Sequence, residues 1–301
     1  MVESLVALEG SEAGHRLALI LALSAAVLHA LFGALQKGRH DPWLSRGAID
    51  IAAGLMAAPV ALFVVPWPEP HMWPIFAGVF LIHAGYKMAQ AATYARGAYT
   101  VVYPVVRGTA PLVVVIASGL VFGERYNAGQ WLGIAILVSG IFGLAAYNLR
   151  HVTIDRDRLV PALGLAVLTG GFVALYTTYD AYGIRATANP FTFIAWFFFI
   201  DSFFMPLIVG RRWTRLPASE LVPLIRLGVM GALVAFASFG SIMLATRLSD
   251  VGQAAVLRET SAVFAALIGW LVLGEKVGPR RTALMAMIAG GAILVEIARA
   301  G

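Results

Sequence analysis

Ten stretches of this chain are each long and apolar enough to cross a bilayer, and very little lies between them. A span needs about 20 mostly apolar residues, and such runs cover 16–36, 47–66, 73–94, 98–122, 128–148, 159–183, 191–209, 221–246, 251–273 and 282–298. The gaps are short and polar: "KGRHDP", "PWPEP", "FGERYN", "RHVTIDRDR", "ATANP", "GRRWTRLP", "RLSD" and "GEKVGPRR". Backbone polar groups in hydrocarbon must be satisfied within the protein, which leaves helices or a closed barrel. The runs are continuous rather than alternating, so helices are expected. Only 13% of residues are charged, against about 25% in a soluble domain. The class is therefore an all-α integral membrane protein.

Other classes fall away on the same evidence. The net charge of +6 does not signal nucleic acid, because the basic residues sit in the gaps and form no continuous face. The absence of cysteine excludes disulfides and thiolate metal sites. The opening "MVESLVALEGSEAG" is acidic and lacks the basic start of a secretory signal.

The chain repeats itself. "YPVVRGTAP" returns as "VLRETSAVF" at an offset of 151 residues, which superposes Arg107 on Arg258 and Thr109 on Thr260. The same register aligns Val121 with Val272, Gly123-Glu124 with Gly274-Glu275, Ala135 with Ala286 and Gly140 with Gly291. Residues 1–150 and 151–301 then form two repeats of five spans. Five is odd, so the second copy enters from the opposite side. The expected fold is ten transmembrane helices in two inverted five-helix repeats, with a substrate site near the midplane where the repeats meet.

The repeated units read "VVYPVVRGTAPLVVVIASGLVFGERYNAGQWLGIAILVSGI" and "GQAAVLRETSAVFAALIGWLVLGEKVGPRRTALMAMIAGGAIL". With five plus five helices, they resemble the drug/metabolite transporter superfamily in its ten-helix EamA-type branch. The resemblance covers nearly the whole chain. It implies export or exchange of small metabolites such as amino acids, without a cofactor or prosthetic group. Ala262 stands where the first copy has Pro111, so the second of these helices is expected to be the straighter.

Ionisable side chains inside a span cost about 2.5–3.5 kcal/mol each and must face protein or water. Arg107 and Arg258 approach the midplane from opposite leaflets. Their planar forks suit a carboxylate or phosphate, or else they cap carbonyls and hold helices together. Glu259 is a poor partner for adjacent Arg258, because neighbouring helix residues diverge by about 100°. Pro104 and Gly108 loosen the helix beside Arg107, and Tyr103 joins them as a binding candidate. His83, Lys87, Gln90 and Tyr94 make one polar face on the third span, read as cavity lining. Tyr176, Tyr179 and Asp180 share a face on the sixth, suited to an amine or a ring. Tyr182, Trp67 and Trp73 belong to an interfacial belt. Asp201 sits mid-span and requires a partner, His29 is an intramembrane helix contact or a functional group, and Asp50, near the start of its span, is expected to be wet. His83 with Lys87 lacks further metal ligands, so no metal is expected.

No catalytic motif is present, so an enzyme is not expected. The leading reading is a secondary transporter of an amino acid or another carboxylate- or anion-bearing metabolite, an exporter or exchanger working by alternating access. Proton coupling would run through Lys87, Asp180, Asp201 or Glu259. A flippase for a lipid-linked head group is the alternative among carriers, and a membrane-embedded enzyme or sensor the alternative from another class. Setting aside Lys87, Arg107 and Arg258, five basic residues fall on the side of the termini and fourteen on the other. Basic residues are retained in the cytoplasm, so the count places the protein in the inner membrane with both termini periplasmic. The family resemblance points the other way.

Overall fold

The computed structural model describes residues 2–36, 40–97, 99–151, 156–271 and 278–300. The described residues form helices and turns, with no strand. In order these are α1 (Val2–Val6), α2 (Glu12–Gln36), α3 (Pro42–Phe63), α4 (Met72–Arg96), α5 (Tyr99–Phe122), α6 (Ala128–His151), α7 (Arg156–Ala186), α8 (Pro190–Asp201), α9 (Phe204–Trp213), α10 (Ala218–Leu248), α11 (Val251–Arg258), α12 (Ser261–Leu271) and α13 (Pro279–Ala300). Each of the ten expected spans is present. Two of them are broken, one between α8 and α9 and one between α11 and α12.

Eight spans qualify as membrane-crossing on length and apolar character alone. The other two fall short for visible reasons. On α4 the polar side chains His83, Lys87 and Gln90 dilute the apolar run, and the ninth span runs past Leu271, beyond the described residues. The second span of each half starts alike. Asp41 accepts from the N–H groups of Trp43 and Leu44 ahead of Pro42, and Asn189 accepts from those of Phe191 and Thr192 ahead of Pro190. An oxygen cap followed by proline at the first helical position is a strong start signal.

The packing has the exchange expected of inverted repeats. The first span of one half, α2, lies along α10 of the other, and α7 correspondingly lies along α4. The pair α6 and α13 packs like with like. At their crossing Gly133 and Gly291 meet backbone to backbone. A Cβ on Gly133 would lie 2.8 Å from the Gly291 carbonyl, and one on Gly291 would lie 2.6 Å from the Gly133 carbonyl. Small residues let membrane helices approach this closely.

The expected difference between the repeated helices is reversed. With Pro104 and Pro111 inside it, α5 runs unbroken, whereas its counterpart, which has Ala262 in place of Pro111, is the one that breaks. Proline is tolerated in a span when neighbours satisfy the freed groups. At the break the backbone bonding changes register. Glu259 and Thr260 bond back three residues, to the Val256 and Leu257 carbonyls, and the Thr260 hydroxyl also donates to Leu257 at 2.7 Å. Ala262 then bonds to the Glu259 carbonyl, leaving that of Arg258 free of its helical partner.

Turns on the face that carries the termini tie the halves together. Glu124 accepts from the N–H groups of Val251 (2.7 Å) and Gly252 (3.1 Å) at the start of α11. Its repeat counterpart, Gly274-Glu275, lies outside the described residues, as does Val272. Glu69, after α3, accepts from the Ala188 N–H and the Thr187 hydroxyl, both at 3.0 Å. Arg247 pairs with Glu9 at 2.6 Å, and His15 bridges Ser249 and Glu296.

Two outcomes are expected. Gly291→Leu overpacks the α6–α13 crossing and costs at least about 1–3 kcal/mol. Gly290→Ala, where a Cβ meets nothing within 4 Å, is neutral within about 0.5 kcal/mol. Thermal unfolding in detergent reads both. Partial burial pushes the Glu69 carboxyl up, but the Ala188 N–H and Thr187 hydroxyl outweigh it and hold the group below its ordinary value of 4.5. A depressed carboxylate adds stability that is present above its unfolded value and disappears as pH falls through the folded one. Glu69→Gln should therefore flatten the acid limb of a melting profile below about pH 4.5.

Candidate functional site

The charged side chains buried mid-membrane form two adjoining groups. In the first, the Lys87 ammonium on α4 is fully buried and reaches Asp50 on α3 at 2.5 Å. It also reaches the Asp201 carboxylate at 2.9 Å and the Asp201 carbonyl at 2.6 Å. Arg46 pairs with Asp50 one helical turn on, at 3.1 Å. His83 bonds Asp180 on α7 at 3.0 Å and lies 3.9 Å from Asp201.

In the second group Arg107 on α5 pairs with Glu259 at 2.8 Å, donates to the Ser261 hydroxyl at 3.1 Å and reaches the Arg258 carbonyl at 3.4 Å. That carbonyl is the one released by the helix break. Arg258 donates to Thr177 on α7 at 3.2 Å, while its Nε stands 3.8 Å from Glu259, beyond hydrogen-bonding length. Tyr176 lies between the groups, its ring 4.7 Å from that of His83 and 4.8 Å from that of Tyr86.

Both helix breaks are thus held the same way. An uninterrupted helix of the first half supplies a cation, and the break in the second half supplies a carboxylate and a carbonyl. With His83 counted as neutral, Arg46, Lys87, Arg107 and Arg258 balance Asp50, Asp180, Asp201 and Glu259, four against four. The halves are not individually neutral. The first contributes three of these cations and one carboxylate, the second one cation and three carboxylates.

Two small cavities adjoin these groups. One, of about 20 Å³, is bounded by Arg46, Asp50, His83, Asp201, Ser202 and Phe239. The other, of about 10 Å³, is bounded by Tyr176, Thr177, Asp180, Thr246, Arg258 and again Phe239. A single water needs roughly 10–15 Å³, so neither of these two cavities has room for more than about one or two waters. The first cavity spans both halves, and the second is walled by the second half alone.

Several expectations change with this geometry. Asp50 is not wet but buried between Lys87 and Arg46. Arg46, counted among the loop residues, is buried with it. Lys87 is locked in ion pairs rather than bordering either cavity. Arg107 is paired with Glu259, leaving Arg258 to face a cavity. Tyr103 lies under Arg107, with the guanidinium 6.0 Å from its ring centre. Tyr179 is half-buried over Gly78 on α4, while its neighbours Tyr176 and Asp180 point inward. His29 is buried among the rings of Phe32 and Phe239. Gln90 donates to Tyr86 at 2.6 Å. Thr177, Ser261 and Phe239 were not anticipated. Among the described residues no cluster of His, Asp or Glu side chains is arranged to hold a metal ion.

Removing one member of a buried ion pair costs about 3–5 kcal/mol, because the other charge is stranded. Arg107→Ala should therefore destabilise the protein by about that amount, and Arg107→Ala/Glu259→Ala should recover much of it. Arg258→Gln, whose guanidinium faces a cavity, should fold with a smaller loss. Melting curves of the three variants check the ordering.

Comparison with known proteins follows this geometry. A solved structure titled "Crystal structure of protein" superposes with a TM-score of 0.74 at 19% identity, covering 94% of this chain and 98% of its own. That likeness establishes the fold. Among curated proteins no match was found. The model of the EamA-like transporter family matches twice, over residues 16–146 and 160–297. With ten membrane spans, exchanged packing between the halves and a family model that fits each half, this multi-pass membrane protein belongs to the EamA-like transporter family.

Proposed function

We propose that the chain carries a small zwitterion of the α-amino-acid class, as an exporter or exchanger, by alternating access. One observation carries the reading. Among the described residues Arg258 Nε and Asp180 Oδ1 are both buried without a hydrogen-bond partner, and both residues border one cavity. A carboxylate on Arg258 and an ammonium on Asp180 would satisfy the two atoms together. Tyr176 and Phe239 supply the apolar wall for a side chain. Charge balance supports the same class. A monoanion would leave the four-against-four constellation with an uncompensated buried charge, which is costly, whereas a zwitterion keeps it neutral.

Repeats 1–150 and 151–301 move against each other in this scheme, and the breaks at Asp201 and Glu259 let helices bend within the second. Hinges that absorb backbone change at a few residues are a common means of closure. An ammonium arriving at Asp180 would compete with His83 for that carboxylate. The orientation proposed places the termini in the periplasm of the inner membrane. With Arg46 buried, the basic count is thirteen against five.

Counterflow of labelled amino acids into proteoliposomes tests the reading. Losing one side of a buried charged contact costs about 2–5 kcal/mol, so Asp180→Asn and Arg258→Gln should each slow uptake at least about 30-fold. Thermal shift separates the substrate classes, since a ligand of the folded state raises stability. An amino acid should stabilise the protein, and its decarboxylated and deaminated analogues should not. Because the chain lacks cysteine, Thr177→Cys gives a unique thiol whose labelling substrate should slow. For orientation, alkaline phosphatase fused at Gly301 should be active and a fluorescent protein there dark.

A further inference from the structure

A crevice of about 480 Å³ opens on the lipid-facing side between α3 and α10. Its two walls are apolar stripes at helical spacing, Ala52, Leu55 and Met56 on α3 and Leu221, Ile225 and Val229 on α10. The helices touch at Gly228, where a Cβ would lie 2.6 Å from the Ala48 carbonyl. From that level the crevice runs seven residues toward Leu221 and eight toward Met56, about 22 Å at 1.5 Å per residue. This is the depth of one leaflet with its headgroup zone, half of about 40–45 Å.

The Leu221 end is strongly basic. Trp213, which borders the crevice, sits in the sequence "GRRWTR", and Arg211, Arg212 and Arg215 are exposed around it. Arg226 is exposed one residue beyond Ile225. Two carboxylates oppose these four cations: Asp41, paired with Arg212 at 3.0 Å, and Glu220 at the start of α10. That leaves a local excess of two positive charges. A second crevice of about 450 Å³, between α2, α12 and α13, has Glu296 in its wall instead. The contrast matters because apolar volume alone would treat the two alike.

We infer that the α3–α10 crevice is a binding site for an anionic phospholipid, one acyl chain lying between the helices and the phosphate held by Arg211, Arg215 and Arg226. The occupant follows from place and charge. Lipid is what meets this surface, and basic pockets between spans select acidic headgroups. Arg211 and Arg215, which no carboxylate claims in the way Asp41 claims Arg212, present forks suited to phosphate.

The test is native mass spectrometry of the full chain, released from nanodiscs of phosphatidylglycerol and phosphatidylcholine in equal parts. Wild type should retain phosphatidylglycerol at least ten-fold over phosphatidylcholine. Arg211→Gln/Arg215→Gln/Arg226→Gln should bring retention to parity, and so should Ala52→Phe, which fills the crevice without touching a charge. Ala289→Phe, filling the second crevice, should leave the preference intact. Equal retention by wild type overturns the site. So does an Ala52→Phe variant that keeps the full preference, since the arginines would then act only as a charged surface. A dimer that excludes lipid from this face also overturns it, by giving the crevice to a second copy.

Discussion

The structure depends on two cations that grip broken helices. Lys87 and Arg107 sit on unbroken helices of the first half, and each reaches a carboxylate and a backbone carbonyl exposed where a helix of the second half stops. Interrupting a helix inside a bilayer strands polar backbone groups, which hydrocarbon cannot satisfy. A side-chain cation with several donors can satisfy them. In return the cation, itself costly at that depth, gains both a counter-charge and neutral acceptors. Neither partner would be tolerable alone, and this mutual need fixes the register between the halves.

The grip is unequal between the repeats. Three of the buried cations belong to the first half and three of the buried carboxylates to the second, so the halves attract each other across the interface. Both described breaks lie in the second half. The first half keeps an uninterrupted α5 despite two prolines. Duplication supplied the scaffold, and divergence gave one copy the anchors and the other the joints.

Much of this was legible in the chain. Continuous apolar runs gave the ten spans, and the offset linking Arg107 to Arg258 gave the repeats. The pairing of charges was less accessible. Arg46 and Asp50 are four residues apart, a spacing that reads directly as a helical pair, yet nearness to a span end suggested water. Lys87–Asp50, Lys87–Asp201 and Arg107–Glu259 join residues from different helices, and no local period encodes them. The location of the break in the ninth span was masked by a rule of thumb. Proline suggested where a helix should fail, whereas the break falls at Glu259 and Thr260, whose N–H groups bond back three residues. The zwitterion-sized question, which charges are paired and which are left over, needed coordinates.

The equality of buried charge also has an electrical meaning. With all eight groups ionised, four cations and four carboxylates sum to zero, so in the proposed cycle the site moves no net charge when it reorients. If its cargo is itself neutral overall, the membrane potential does no work on the loaded or the empty form, and only concentration gradients drive the cycle. A proton carried with the cargo would change that at once. Each elementary charge crossing the bilayer is worth about 2.3 kcal/mol per 100 mV, so one uncompensated charge moving with the cargo would make the cycle feel voltage.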